Sequence, residues 1–494
     1  IADVPEEVIA KEERLEQAVD ELQNEVDLLK KRRNFTEAYK TQLQQLERKL
    51  LENKRAYEDF LVQIQKQHPH YYKLKYDLTV VEVDAIQKRL NNEQMMIEYF
   101  IGNKELIIFK ITNSEFEVFE TPLTYDLTNS IDLCREGIYG YYLNETTRNR
   151  QVKERYIKQY QSTSRQLYKT LLDPVLTHGK SKRRLMIILA GNLGFLPFEA
   201  LLTDDVSNNN FKEYPYVIKK YAVGYCYSAT LLHEMQTKEH IPQKIFLGFA
   251  PEFDSDVKLD GRYSFNPLEH SQQEVIDVHE LIGTGNIFTG AQATKENFQE
   301  NCEGYCILHI ATHGFMNSND SKNSFLAFSS SADSTSNELL YVRDLYNMHL
   351  TASMVVLSAC ETGLGELYES EGIASLARGF AYAGAKSIIT SLWAVNDYTT
   401  AEIMKFMYKH IQAGMNKDEA LFQAKNEFLA AAASHQVAHP FLWSAFIMIG
   451  DESPRPGTRM KKGSTNYTII FTSLVALIVA IIGGLFLRKR FSMN

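Results

Sequence analysis

Cys306–Ile307–Leu308–His309–Ile310–Ala311–Thr312–His313–Gly314 is the stretch on which the fold turns. Six residues in a row suit a strand buried on both faces, and a polar pair and a glycine then stop it. A second stretch has the same shape: Met354–Val355–Val356–Leu357–Ser358, then Ala359–Cys360–Glu361–Thr362–Gly363. The spacing predicts strands over Cys306–Ala311 and Met354–Ser358, each ending in a polar residue and a turn.

Working outward, Ile245–Phe249, Asn286–Thr289, Ser387–Leu392 and Ala445–Ile449 read as further strands. Helices separate them. Ser271 and Glu274 have the spacing of a capping box opening a helix through Leu281. Thr294 caps another, Glu371–Ala383 is closed by Gly384, and one more runs through His410 and stops before Gly414. Strands alternating with helices imply an α/β domain with a mostly parallel sheet, covered on both faces. Upstream, Met96–Phe100, Glu105–Ile111, Phe116–Phe119 and Leu185–Leu189 are strand-like, with a helical stretch around 150–172.

The amino-terminal residues have a different texture, rich in Glu, Lys, Gln and Leu. Leu15, Val19, Leu22, Val26 and Leu29 form an apolar seam on one helix, and Leu43, Leu46, Leu50, Tyr57, Leu61 and Ile64 form one on a second. Two helices broken at Lys31–Asn34 predict a helical hairpin over 1–69; an oligomerising coil is the alternative, and so is the last unit of a helical repeat array. At the other end, 451–466 reads as a linker. Tyr467–Leu487 carries no charge over 21 residues, the length of a helix crossing a hydrocarbon core, and 488–494 is a basic tail. A single-pass carboxy-terminal membrane anchor with the bulk of the chain on the cytoplasmic side is the expectation.

The chain has 494 residues, 44% hydrophobic and 23% charged, enough for two or three packed domains. A net charge of −9 lowers the expectation of a nucleic-acid partner. Five cysteines in so long a chain do not make a disulfide framework. Cys302 and Cys306 lack a second ligand pair and read as packing thiols, so no metal and no cofactor is expected.

Two residues at neighbouring strand ends can meet in one crevice while standing 47 apart in sequence, as His313 and Cys360 do. That is the arrangement of a nucleophilic thiol and its general base. The backbone N–H groups of Gly314 and Cys360 are candidate oxyanion donors. A third segment, Ser391–Leu392–Trp393–Ala394–Val395–Asn396–Asp397, leaves another strand. Trp393 is a candidate wall of a specificity pocket and Asp397 its base, which would favour a basic P1 side chain; helix capping is the competing role for Asp397. His309 reads as structural. The polar stretches Asp254–Gln273 and Asn317–Asn337 are candidate lids or cleavage sites, with plain disordered connections as the alternative.

These motifs, joined by Phe441–Gly450, Ala190–Leu193, Leu196–Leu201 and Tyr227–Thr230, resemble those of the CHAT domain family of caspase-like and separase-like peptidases. The resemblance runs from about 70 to 450. It implies a caspase-like α/β sandwich with a scaffolding subdomain over 70–235 and a peptidase subdomain over 236–450. It implies a Cys/His dyad at Cys360 and His313, and, from separases, arginine selection at P1 by Asp397. It also implies a protein substrate, such as a gasdermin or an effector-associated protein cut in bacterial defence. A membrane-tethered scaffold or sensor with a quiet dyad is the alternative.

Overall fold

The computed structural model describes residues 6–30, 37–68, 80–143, 150–177, 182–239, 241–254, 259, 263–315, 317, 323–330, 338–358, 372–393 and 397–456. Its strands are β1 (Gln94–Ile101), β2 (Glu105–Ile111), β3 (Phe116–Pro122), β4 (Arg184–Ile188), β5 (Ala222–Cys226), β6 (Lys244–Pro251) and β7 (Asn286–Gly290), followed by β8 (Tyr305–Ala311), β9 (Gly314–Phe315), β10 (Phe325–Ala327), β11 (Leu339–Tyr341), β12 (Met354–Ser358), β13 (Ser387–Ser391) and β14 (Phe446–Gly450). Eleven of them build one sheet in the order β3-β2-β1-β4-β5-β14-β13-β12-β8-β6-β7. The pairs from β7 through β6, β8 and β12 to β13 are all parallel. The fold is mixed α/β with a large, mostly parallel sheet.

The apolar runs explain the burial. Every residue of β4, β5, β8, β12, β13 and β14 is buried, as a strand covered on both faces requires. The helix Gly372–Ala383 ends at Gly384, whose φ of +116° only glycine adopts without strain. A Cβ there would stand 2.4 Å from the Leu350 carbonyl oxygen, so the close approach of two backbones also demands glycine.

The helix Lys417–Ala431 ties the carboxy-terminal part of the chain to β4 and β5. Arg184 donates to both carboxylate oxygens of Asp418, at 2.7 and 2.8 Å, and Lys425 Nζ lies 2.8 Å from Glu199 Oε1. Asp451 and Glu452, read from sequence as the start of a linker, are buried instead. The Asp451 N–H donates to the Lys386 carbonyl and the Glu452 carbonyl accepts from Lys417, both at 2.8 Å.

At the amino terminus the helices Glu6–Lys30 and Glu37–Gln67 lie against each other, with Val26, Leu50, Phe60 and Ile64 buried and Lys54 donating to Gln23. Among the described residues no helix is long and apolar enough to cross a membrane. The span 467–487 lies outside them.

The capping box expected at Ser271 does not form. The helix is Ser271–Ile282, with His270 at its N-cap and no side-chain cap. The Ser271 hydroxyl donates to the Leu268 carbonyl at 3.1 Å, and Glu274 turns inward to His309. A buried imidazole offers Glu274 a partner away from water, which a local cap at the surface cannot match. The polar stretch Asn317–Asn337 is no plain connection either, because it contains β10. That strand pairs with β9 and β11 in a separate three-stranded sheet.

Candidate active site

The parallel register puts the ends of β8 and β12 side by side. Ala311 pairs with Ser358, and the Thr312 N–H donates to the Ser358 carbonyl at 3.1 Å. His313 is two residues past Ala311 along one chain, and Cys360 is two residues past Ser358 along the other. Neighbouring strands lie about 4.8 Å apart, so the two strand ends stand side by side. Cys360 itself lies outside the described residues.

His313 is buried and held on several sides. Its Nε2 is 2.8 Å from the Asn266 carbonyl oxygen. A carbonyl only accepts, so Nε2 carries the hydrogen and, in the neutral ring, Nδ1 keeps the lone pair that can accept a hydrogen. The Phe265 ring stacks on the imidazole at 5.0 Å and 20°, and the Phe253 ring meets it edge-on at 4.8 Å. Phe265 and Tyr263 pack in turn on Phe325 of β10, inside a small core with Leu259, Leu339 and Tyr341. The stretch Asp254–Gln273 thus supplies both the carbonyl that orients His313 and a ring that covers it.

Thr312 and His313 also fix the turn that follows. The Thr312 hydroxyl and the Ala327 N–H bond across to each other's chains, the first to the Ala327 carbonyl and the second to the His313 carbonyl. The bond between Ala327 and His313 marks those two as a hydrogen-bonded pair. By the alternation of an antiparallel ladder, the next pair, Gly314 with Leu326, turns its N–H groups outward. The Gly314 N–H therefore points away from β10.

Trp393 is placed differently from the sequence reading. It is fully buried, with its indole N–H donated to the Phe441 carbonyl at 2.9 Å and its ring against Tyr139 and Phe441. Among the described residues it packs as a core residue, with Tyr139 of the helix Leu127–Leu143 against its ring. Asp397 is the first residue of the helix Asp397–Gln412, and its side chain lies outside the described residues, as do 394–396. The structure therefore places His313 and the backbone of Gly314 just past the end of β8 and packs Trp393 in the core.

The remaining cysteines are poor nucleophiles. Cys134, Cys226, Cys302 and Cys306 are buried and free. Burial pushes the first three thiols up to about 12 and raises that of Cys306. Among the described residues no cluster of His, Cys, Asp or Glu is arranged to hold a metal ion.

Sequence reasoning missed Asn266, Phe253, Phe265 and the use of Glu274. Asn266 acts through its carbonyl, which no side-chain motif reveals. One signal was present: Pro267 keeps the residue before it extended, so the Asn266 carbonyl stands clear of the helix that starts at Ser271.

Fold and site together define an α/β protein with a buried histidine just past the carboxyl end of a parallel strand. The chain belongs to the CHAT domain family, which matches residues 161–451, more than half of its length. Tetratricopeptide repeat protein 28 of Mus musculus is 26% identical over 329 residues, covering 58% of this chain and 13% of that protein. The Homo sapiens protein of the same name is 24% identical over 339 residues, with the same two shares. The chain thus spans 13% of the length of these curated relatives. Among solved structures, the Saccharomyces cerevisiae separase–securin complex aligns with a TM-score of 0.45 at 9% identity, over 88% of this chain and 37% of that one.

Proposed function

We propose that this chain is a cysteine endopeptidase with Cys360 as nucleophile and His313 as general base. The observation that carries the reading is the bond from His313 Nε2 to the Asn266 carbonyl, at a strand end held directly to Ser358, two residues before Cys360. Nδ1 takes the thiol proton, the thiolate attacks the scissile carbonyl carbon, and the oxyanion accepts from the N–H groups of Gly314 and Cys360. The proton on the imidazolium passes to the leaving amine, giving a thioester. Water, deprotonated by the same imidazole, then releases the acid and restores the thiol. The desolvated thiols elsewhere support Cys360 as the reactive one.

Three finer assignments go with this reading. Asp397 selects a basic P1 residue, the substrate is a protein partner, and residues 467–487 anchor the chain in a membrane. The test is a peptide-library cleavage profile of the chain beside its Cys360→Ala and His313→Ala variants. Cleavage after lysine or arginine that both substitutions abolish is expected. Unchanged turnover in either variant removes the assignment.

The relatives named for tetratricopeptide repeats favour a second reading, a scaffold or sensor with a quiet dyad. A thiol-directed activity probe separates the two. Labelling of Cys360 above the other cysteines supports the enzyme, and equal weak labelling supports the scaffold.

A further inference from the structure

We propose that His309 is a positioning residue for His313, acting through Glu274 and the stretch 266–274. It rests on the reading of His313 as the general base, but its structural part can be tested without turnover.

His309 lies four residues before His313, on β8, and is fully buried. Its Nε2 is 2.9 Å from Glu274 Oε1 and its Nδ1 is 3.0 Å from the Tyr408 hydroxyl. The carboxylate accepts from Nε2–H, and in the neutral ring Nδ1 then accepts from the tyrosine hydroxyl. One imidazole therefore joins β8 to the helix Ser271–Ile282 through Glu274 and to the helix Asp397–Gln412 through Tyr408.

The same short stretch is fastened to the end of β8 twice. Asn266 holds His313 through its carbonyl, and Glu274 holds His309 through its carboxylate. Between the two fastenings the chain is braced. Pro267 restricts Asn266, the Ser271 hydroxyl donates to Leu268, and the Glu274 N–H donates to the His270 carbonyl at 2.9 Å. A braced stretch moves as a unit. Freeing Glu274 from His309 lets the helix start drift from β8, and the Asn266 carbonyl drifts with it. His313 then loses the bond that selects its tautomer. His309 touches no reacting atom; its part is to keep that carbonyl in place.

The test is 15N NMR of the histidine side chains in the whole chain, with the His313 signals assigned by their loss in His313→Asn. In the unaltered chain the two ring nitrogens of His313 should differ widely in shift, as in a fixed tautomer. Glu274→Ala should draw them together, and Glu274→Gln, which still offers an oxygen to Nε2, should restore most of the separation. If Glu274→Ala does not fold, Tyr408→Phe replaces it, with a smaller shift in the same direction. A melting temperature that falls while the His313 signals stay unchanged would mean that the trio only packs, and would overturn the inference. On cleavage, kcat should drop roughly tenfold to a hundredfold with KM within twofold. Should the unaltered chain prove inactive, the peptidase reading fails and the NMR result still decides this one.

Discussion

Lys425 and Glu199 stand 226 residues apart in sequence, yet their side chains meet at 2.8 Å with both fully buried. Glu199 also accepts from the Tyr225 hydroxyl. The pair fastens the helix Lys417–Ala431 to the turn after β4, an ionic joint that stands beside the Arg184–Asp418 pair on the same helix. Burial pulls the Lys425 ammonium down and Glu199 opposes it.

Breaking that joint on one side leaves a charge without its partner. Lys425→Met should cost about 3–5 kcal/mol, read as a fall in the urea midpoint, because Glu199 stays buried and loses its cation. Adding Glu199→Gln should recover a large part of the loss. A double variant no more stable than Lys425→Met would show that the charges do not compensate each other.

Phe265 covers the imidazole of His313 from one face. Phe265→Ala should expose the ring, speeding its carbethoxylation by diethyl pyrocarbonate several-fold while lowering stability by roughly 1–3 kcal/mol. Peptide cleavage should rise in parallel if access to the base limits turnover. An unchanged rate of modification at His313 would show that something other than Phe265 closes the site.

His439 makes the fold sensitive to acid. It is buried, stacked on Tyr141 at 4.3 Å, and its Nδ1 accepts from the Phe441 N–H at 3.2 Å, so it folds in the neutral form. Burial, aided by Lys153, lowers its pKa from 6.5 to about 3. The unfolded chain therefore takes up a proton below pH 6.5 that the folded chain refuses. The stability held above 6.5 is lost as pH falls towards 3, by about 1.4 kcal/mol per pH unit. His439→Asn keeps an acceptor for the Phe441 N–H and cannot titrate. Its stability between pH 6.5 and 5 should fall less steeply by about that slope, as measured by urea unfolding at a series of pH values.

Gly384 ends the helix that precedes β13. Gly384→Ala combines a φ of +116° with a Cβ at 2.4 Å from a backbone oxygen. A loss of about 2 kcal/mol or more is expected, seen as a lower melting temperature. A melting temperature within a degree of the parent chain would refute the backbone argument.

Much of the architecture could be read from the chain itself. Runs such as Met354–Ser358 are apolar without interruption because both faces are covered, and that pattern needs no knowledge of neighbours. Helix stops at Gly384 and the cap at Thr294 are equally local, set by φ and by one side-chain oxygen. The candidate pair His313 and Cys360 was legible because both follow such strands; the described residues stop short of Cys360.

Tertiary structure decided what each polar group does. Glu274 has the spacing of a cap and spends its carboxylate on His309; Trp393 follows a strand end like a pocket residue and is sealed by Tyr139. Asn266 orients His313 with a backbone oxygen, which every residue has. Periodicity is a property of neighbours in sequence, so the long apolar strands such as β8, β12 and β13 and helices such as Gly372–Ala383 were legible in the chain alone. The strand β5 and the short strands β9, β10 and β11 were not. Which buried donor finds which acceptor depends on chain segments tens to hundreds of residues apart, and only folding brings those together.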